Sequence, residues 1–330
     1  MNALYALIAM AVLLGVACAG AGPQDQRYLL GVIIPYVAIA VFIVGVIYRI
    51  LKWASAPVPF RIPTVCGQQK SLRWIRSSTF ESPHNTLGVI GRMALEVLLF
   101  RSLFRNTKMT LTPAKRLAYG SSKYLWLGAL AFHWSFLVIL LRHMRFFLEP
   151  TPGFVHIVES WDGLIQFTAP TFFLTDAVIV GALLYLLARR IASPLLRYLS
   201  LPADYFALFV LLGVVISGIS MRYFTKVDLV TVKQLCLSLV TLQPVLPEGL
   251  GMPFLIHVFF VSVLLAYFPF SKMMHMGGVF LSPTRNLANN NRMRRHINPW
   301  NAPVGVHTYQ EWEEEFGDKL KACGYALDRE

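Results

Sequence analysis

Residues 124–145 read YLWLGALAFHWSFLVILLRHMR, and residues 252–275 read MPFLIHVFFVSVLLAYFPFSKMMH. Each stretch has the length and apolarity of a helix that crosses a bilayer, which needs about 20 such residues. Each also contains two histidines, which cost free energy in an apolar helix unless a partner compensates them. The fold and the candidate site are therefore both expected on these two helices, and the four histidines are His133, His143, His257 and His275.

Further apolar runs extend this pattern over most of the chain. Hydrophobic residues make up 56% of the 330 residues and charged residues only 14%, whereas a soluble domain carries roughly a quarter charged residues. Lipid offers the backbone no hydrogen-bond partners, and no run alternates as barrel strands do, so the runs are predicted to be helices. The sequence predicts an all-α integral membrane helical bundle with six transmembrane helices, at 1–22, 28–48, 124–141, 164–188, 205–221 and 252–271.

The formal net charge of +13 is distributed as a topology signal. Between Arg49 and Lys123 there are thirteen basic residues and two acidic ones, whereas the loops at 142–163 and 222–250 are roughly balanced. Basic loops stay on the cytoplasmic side, so both termini are predicted in the cytoplasm and the chain in the cytoplasmic (inner) membrane. Anionic lipids are the partner that this basic surface favours, and no nucleic-acid partner is expected. The segments placed in the cytoplasm are 49–123, 189–204 and 272–330.

The chain divides into an extra N-terminal transmembrane helix at 1–27, a core at 28–275 and a cytoplasmic C-terminal tail at 276–330. The first run has no basic residue before Arg27, which favours a retained helix over a signal peptide. Lipidation of Cys18 is the less favoured alternative for this run.

Two segments outside the spans have a predicted structure. Within the cytoplasmic loop 52–120, residues 86–105 repeat apolar residues at helical spacing and are predicted to form an amphipathic helix at the membrane interface. The tail is polar and is expected to act as an arm that contacts a partner subunit, with a short acidic helix around Glu311 to Glu315.

Orientation sorts the four histidines into two pairs. The first histidine helix runs outward and the second runs inward, so His133 meets His275 near the cytoplasmic side and His143 meets His257 near the outer side. Neutral imidazole is a good axial ligand for haem iron, and two facing helices can supply both ligands. The pattern therefore predicts two haem b groups with these histidines as the axial ligands of the iron.

Helix geometry does not satisfy both pairs equally. Eighteen residues make five whole turns, whereas ten residues leave His133 and His143 about 80° apart around the helix. Tilt and a kink at Pro269 are expected to absorb the difference.

Two other classes of function remain open at this point. Intramembrane histidines also serve a proton- or metal-translocating membrane protein, and the bundle can also serve as a haem-free membrane anchor for a peripheral enzyme. Asp176 is expected near the middle of its span, where an acidic residue favours either a proton relay or a structural hydrogen bond.

The histidine spacings of ten and eighteen residues resemble those of the cytochrome b (gamma) subunit of respiratory nitrate reductase. That family has five spans, with histidine pairs on the second and fifth, and residues 28–275 cover its core. Within the broad family, the segment IPTVCGQQKSL at 62–72 and the overall length are most similar to DsrM, the cytochrome b subunit of the membrane complex associated with dissimilatory sulfite reductase. Membrane subunits of heterodisulfide reductase are related alternatives.

The resemblance implies an electron-transfer subunit of a membrane oxidoreductase complex in sulfite reduction. Such subunits exchange electrons with menaquinone or menaquinol near the outer haem and pass them to a cytoplasmic iron–sulfur subunit, here one similar to DsrK. Further membrane and periplasmic subunits complete such complexes. This chain has four cysteines but no CxxC motif, which fits clusters that belong to a partner.

The resemblance also implies a quinone site near the outer haem. The family's lysine in the quinone pocket has no clear counterpart in this sequence. The polar residues expected near that haem are therefore the candidates: Arg142, Arg145, His156, Asp162 and Lys226.

Overall fold

The computed structural model describes residues 1–58, 67–113, 116–163, 171–294 and 305–328. Part of the predicted span at 164–188, part of the segment 62–72 and part of the tail lie outside the described residues. The helices and strands are α1 (Asn2–Ala21), α2 (Gln24–Tyr28), α3 (Ile34–Ala54), α4 (Thr86–Leu99), α5 (Arg101–Arg105), β1 (Thr107–Leu111), β2 (Leu117–Ser121), α6 (Lys123–His143), α7 (Gly153–Asp162), α8 (Leu174–Ala192), α9 (Pro194–Leu199), α10 (Pro202–Ile219), α11 (Leu229–Val240), α12 (Met252–Tyr267), α13 (His275–Gly278), α14 (Pro283–Asn286) and α15 (Tyr309–Ala322).

Short turns of other helix types extend several of these elements. π-helical turns lie at Leu29–Ile33, between α2 and α3, and at Ser220–Thr225, after α10. 3₁₀ turns lie at Met144–Phe146, Phe268–Phe270 and Lys272–Met274.

Within the described residues, five helical segments are long and apolar enough to cross a membrane: Asn2–Ala21, Gln24–Ala54, Lys123–Phe146, Pro202–Thr225 and Met252–Phe270. They match five of the six predicted runs, and the chain is a mostly helical, multi-pass membrane protein. The remaining run contains α8, which has Asp176 in its first turn and Arg189 and Arg190 in its last.

The long helices pack as a bundle. α6 packs on α8, α8 on α10, α10 on α12 and α12 on α3, while α1 packs on both α10 and α12. The buried core between α1 and α12 includes Ala17, Leu255 and Phe259, so the predicted extra N-terminal helix is part of the bundle. A second core, around Ile179 and Leu183 of α8, joins α8 to α10.

The second histidine helix is broken rather than kinked. α12 ends at Tyr267, and Pro269 lies in a 3₁₀ turn because proline cannot donate the hydrogen bond that would continue the helix. Ser271 is extended, and its hydroxyl accepts the backbone N–H of Met273 to start the next turn. His275 therefore opens a separate short helix, and the prediction that it shares one continuous helix with His257 was wrong.

The predicted amphipathic segment forms two helices, α4 and α5, with Phe100 between them in the left-handed region (φ 49°). The carboxyl end of α4 is fastened to α6: the indole N–H groups of Trp126 and Trp134 donate to the carbonyls of Leu99 and Leu98, at 2.7 and 3.0 Å. An antiparallel hairpin of β1 and β2 follows, with Met109 opposite Tyr119. The prediction of an all-α chain did not anticipate these two strands.

The first part of the tail packs on the chain's own loop. α14 contacts α4, where Arg285 forms an ion pair with Glu96 at 3.0 Å. The backbone N–H of Asn289 also donates to the carbonyl of Pro83 at 2.6 Å. Further on, α15 contains the predicted acidic helix and begins with a capping box formed by Thr308 and Glu311.

Candidate functional site

All four histidines hold Nδ1 in a hydrogen bond. In three of them the partner is a backbone carbonyl: Ala129 for His133 at 2.7 Å, Ile139 for His143 at 2.7 Å and Lys272 for His275 at 2.8 Å. The Nδ1 of His257 instead lies 2.9 Å from the hydroxyl of Ser217. A carbonyl can only accept, so Nδ1 carries the proton in the first three rings and Nε2 keeps its lone pair for a metal.

The same assignment holds for His257. The hydroxyl of Ser217 lies within hydrogen-bond distance of the carbonyls of Gly213 (2.7 Å) and Val214 (3.0 Å). Its single proton is therefore directed at the backbone, and Nδ1 of His257 donates to the oxygen. Ser217 thus connects α10 to the histidine of α12.

The inner pair, His133 and His275, lies with its ring centroids 5.9 Å apart and its planes at 80°. A metal ion bonded to two imidazoles at about 2 Å separates the ring centroids by roughly 6 Å. The spacing of the inner pair therefore suits one iron atom between the rings. Phe100 closes one side of His133, with its ring edge-on at a centroid distance of 4.9 Å.

The outer pair, His143 and His257, is close enough for the two rings to interact electrostatically. Space beside His257 depends on Gly218, where an added Cβ would lie 3.3 Å from the Cε1 atom of the ring. The two histidine helices also have different packing partners, since α6 lies on α8 whereas α12 lies on α3 and α10. His133 is thus the neighbour of His275, and His143 lies within electrostatic range of His257.

The donor set fits haem iron better than a multidentate metal site. No group of three or more His, Cys, Asp or Glu side chains that could hold a metal occurs in the described parts of the chain. Burial raises the pKa of the Cys236 thiol to about 11, which keeps that sulfur protonated. Pairs of neutral imidazoles between apolar helices are the ligands that a b-type haem uses.

Arg142, which directly precedes His143, is the centre of a buried polar network. Its Nη2 donates to Oδ1 of Asp176 at 2.7 Å, and its Nε lies 3.2 Å from Oδ2 of Asp162. Thr175 donates to Asp162 through both its backbone N–H (2.9 Å) and its hydroxyl (2.6 Å). The Tyr223 hydroxyl donates to Oδ2 of Asp176 at 2.8 Å. We call these five residues the outer network.

The outer network ties three helices to the outer pair. Arg142 is 7% exposed, Asp162 7% and Asp176 8%. These charges are therefore desolvated, and each requires an opposite charge to compensate for the lost solvation. They fasten α6 to the end of α7 and the start of α8 within one residue of His143. Asp176 lies in the first turn of α8 rather than mid-span as predicted, at a helix end whose dipole favours a carboxylate.

Two guanidinium groups share the ring of Phe173 beside this network. The Cζ atoms of Arg142 and Arg222 lie 3.8 and 4.0 Å from its centroid. Arg222 also donates to the carbonyl of Thr171 at 2.9 Å, and the backbone N–H of Phe173 donates to the Tyr223 hydroxyl at 3.1 Å. The start of α8 is thus fixed by cations and a phenol next to the outer pair.

The other predicted quinone candidates have different partners. Arg145 pairs with Glu159 at 2.6 Å, and His156, whose side chain is 64% exposed, lies 3.9 Å from the same carboxylate. Lys226 is exposed in a left-handed turn after the extension of α10. Arg142 joins Asp162 to Asp176, whereas Arg145 and His156 meet at Glu159.

Several site residues were missed by sequence reasoning: Thr175, Ser217, Arg222 and Tyr223. Arg222 had a usable signal, because a cation near the end of an apolar run is expensive. The hydroxyl residues had none, because they are common in membrane helices and their partners lie up to 50 residues away.

The fold and the site define a class: a membrane helical bundle with two pairs of intramembrane histidines suited to b-type haem. The sequence matches the family model of the nitrate reductase gamma subunit over residues 88–295, and the chain belongs to that family. It is 47% identical over 277 residues to the Hdr-like menaquinol oxidoreductase cytochrome b-like subunit of Archaeoglobus fulgidus, covering 82% of each chain. It is 42% identical over 274 residues to the protein of the same description from Archaeoglobus profundus, covering 81% of each.

Proposed function

We propose that this chain is the dihaem cytochrome b subunit of a membrane complex that transfers electrons between menaquinol and a cytoplasmic iron–sulfur partner. The observation that carries the proposal is the state of the four imidazoles, each with Nδ1 hydrogen-bonded and Nε2 left for iron. The family match and the names of the Archaeoglobus relatives, both menaquinol oxidoreductase subunits, support it.

Bound haem supplies one-electron redox chemistry at each iron, and the chain's own residues position it. His143 and His257 would hold the outer group, and His133 and His275 would hold the inner group. Oxidation of menaquinol to menaquinone releases two electrons and two protons, and the chain's polar residues beside the outer pair would orient the quinol and accept its protons.

We place the quinone beside the outer network, with Arg142 as the group that orients a quinone oxygen. Asp176 and Tyr223 form a hydrogen-bonded chain at the start of α8 that can accept a proton from this position. Asp162 holds Arg142 from the other side and keeps the guanidinium oriented. Arg145, His156 and Lys226 are more exposed and are assigned to the outer surface around the site.

For topology, we propose that α8 is the sixth span, since it packs between α6 and α10 within the bundle. Both termini then lie in the cytoplasm, where the basic loop and the tail face the partner. The partner we propose is similar to DsrK, within a complex of the DsrM type that has further membrane and periplasmic subunits and serves sulfite reduction. α15, with its stripe of Tyr309, Trp312 and Phe316, is the part of the tail assigned to that contact.

Single histidine substitutions test the assignment. His143→Ala should remove the outer haem and leave the inner one, and His275→Ala should do the reverse, as read from optical redox titration of the purified chain. His156→Ala is the control, because that histidine is exposed and outside both pairs. Retention of both haems in His143→Ala and His275→Ala would refute the ligand assignment.

The alternatives make different predictions for the same samples. A proton- or metal-translocating protein would contain no haem, and its transport in vesicles would depend on the histidines. A haem-free anchor would show neither haem nor transport and would still bind its partner subunit.

A further inference from the structure

A polar cavity lies in the cytoplasmic loop, away from the histidines. Its volume is about 420 Å³. Two arginines, a glutamine, three consecutive hydroxyl residues and one phenylalanine line it: Arg76, Arg101, Gln68, Ser77, Ser78, Thr79 and Phe80. This set offers many hydrogen-bond donors and no acid, which is the composition of an anion site.

The charge around the cavity is positive. Arg101 and Arg105 both pair with the single carboxylate of Glu81. With Arg76 on the cavity wall, these four side chains carry a net charge of +2. Guanidinium groups match the oxygens of a phosphate in pairs, so a phosphate-bearing anion is the ligand that the lining favours.

Hydrogen bonds to α6 place the cavity at the edge of the bilayer. Leu98 and Leu99, at the end of α4, accept hydrogen bonds from Trp134 and Trp126. Trp126 lies three residues into a membrane-spanning helix, or about 5 Å along its axis. Arg101 follows its partner Leu99 by two residues, so one wall of the cavity lies near the depth of the lipid headgroups.

Exposed apolar side chains lie on the same loop as the cavity and on α4. Phe80 packs on α4, where its ring lies 3.0 Å from the position of a Cβ on Gly91. Trp74, two residues before Arg76, is 79% exposed, and on α4 Leu87 is 79% and Ile90 58% exposed. Such side chains favour the acyl and interfacial region of a bilayer, whereas binding of a soluble phosphate does not require apolar side chains.

We propose that this cavity binds the headgroup of one acidic phospholipid, with its phosphate between Arg76 and Arg101 and its acyl chains along α4. We call it the headgroup cavity. It is independent of the haem assignment, because none of its residues contacts the four histidines.

The test uses the full chain in nanodiscs of phosphatidylcholine that contain a minor fraction of phosphatidylglycerol. Lipid that remains bound after transfer to detergent is counted by native mass spectrometry. Arg76→Gln removes one charge from the cavity wall, and Arg73→Gln removes the same charge from an exposed position outside it. Ser77→Asp keeps every arginine and places a negative charge in the cavity, which serves if Arg76→Gln does not fold.

Wild type and Arg73→Gln should retain one phosphatidylglycerol, and Arg76→Gln and Ser77→Asp should retain it about tenfold less, as expected for the loss of one charged hydrogen bond. Equal retention in all four proteins would overturn the proposal, as would equal retention of phosphatidylcholine and phosphatidylglycerol by wild type. A parallel titration with inorganic phosphate separates the sources. Binding of phosphate that depends on Arg76, with lipid retention that does not, would assign the cavity to a soluble anion and overturn the lipid proposal.

Discussion

Ser217→Ala should raise the midpoint potential of the outer haem and leave the inner haem unchanged. In the wild type, Nδ1 of His257 donates to the Ser217 hydroxyl at 2.9 Å, which increases the electron density on the ring and would favour the oxidised iron of a haem held there. The other three histidines donate to backbone carbonyls, which a side-chain substitution cannot remove. Ser217 is therefore the one side chain in the four Nδ1 hydrogen bonds.

The size of the effect follows from the hydrogen bond. A neutral hydrogen bond contributes about 1 kcal/mol net, and a one-electron couple shifts by about 59 mV for each tenfold change in its equilibrium constant. If the full free energy of the hydrogen bond stabilised the oxidised state, its loss would shift the potential by roughly 40 mV. A rise of about 20 to 40 mV is therefore expected.

Potentiometric titration of the purified protein, followed at the visible α-bands, resolves the two haems. Ser262→Ala is the control: Ser262 is a buried serine of α12, and its hydroxyl donates to the backbone carbonyl of Val258 at 2.8 Å rather than bonding a histidine. Ser217→Thr keeps a hydroxyl and should restore the wild-type potential. An unchanged outer potential in Ser217→Ala, or an equal shift of both haems, would refute the reasoning.

Three further predictions concern packing, charge and strain. Gly45→Ala should lower the free energy of unfolding of the detergent-solubilised protein by about 1–3 kcal/mol, because the added Cβ would lie 2.6 Å from the rigid ring of Pro269. Gly181→Ala is the control: no atom lies within 4 Å of its added Cβ, so the protein should not be destabilised. Asp176→Asn should lower the free energy of unfolding by about 1–3 kcal/mol and should reduce the rate of menaquinol oxidation, because the buried Arg142 then keeps only the carboxylate of Asp162. A wild-type stability together with a wild-type rate would contradict the role given to Asp176. Phe100→Gly relieves a left-handed backbone but removes the ring beside the inner pair, so the electron paramagnetic resonance signal of the inner haem should change while that of the outer haem does not.

The sequence was sufficient for five of the six long helices and for the proximity of His133 and His275. Apolar length identifies a span such as α6, and charge asymmetry orders neighbouring spans, so antiparallel helices bring His133 to His275 without any tertiary information. The weak part of the prediction was the continuity of the second helix. Pro269 signalled a disturbance, but only the neighbouring Ser271 cap decides between a kink and a break.

Tertiary polar contacts were beyond the sequence. Ser217 and His257 are 40 residues apart, and no periodic pattern relates a serine on one helix to a histidine on another. The outer network could not be predicted from the sequence either, because the position of Asp176 depends on where α8 begins. The hairpin at 107–121 was missed because it lies in a basic loop where alternation is weak and strands are short.

The haem content of the purified chain tests the central claim most directly. The protein, expressed in full and extracted in mild detergent, is assayed for b-type haem by its reduced pyridine spectrum against protein mass. Two haems b per chain, falling to one in His143→Ala, are predicted. A purified, folded chain that contains no haem would contradict the account.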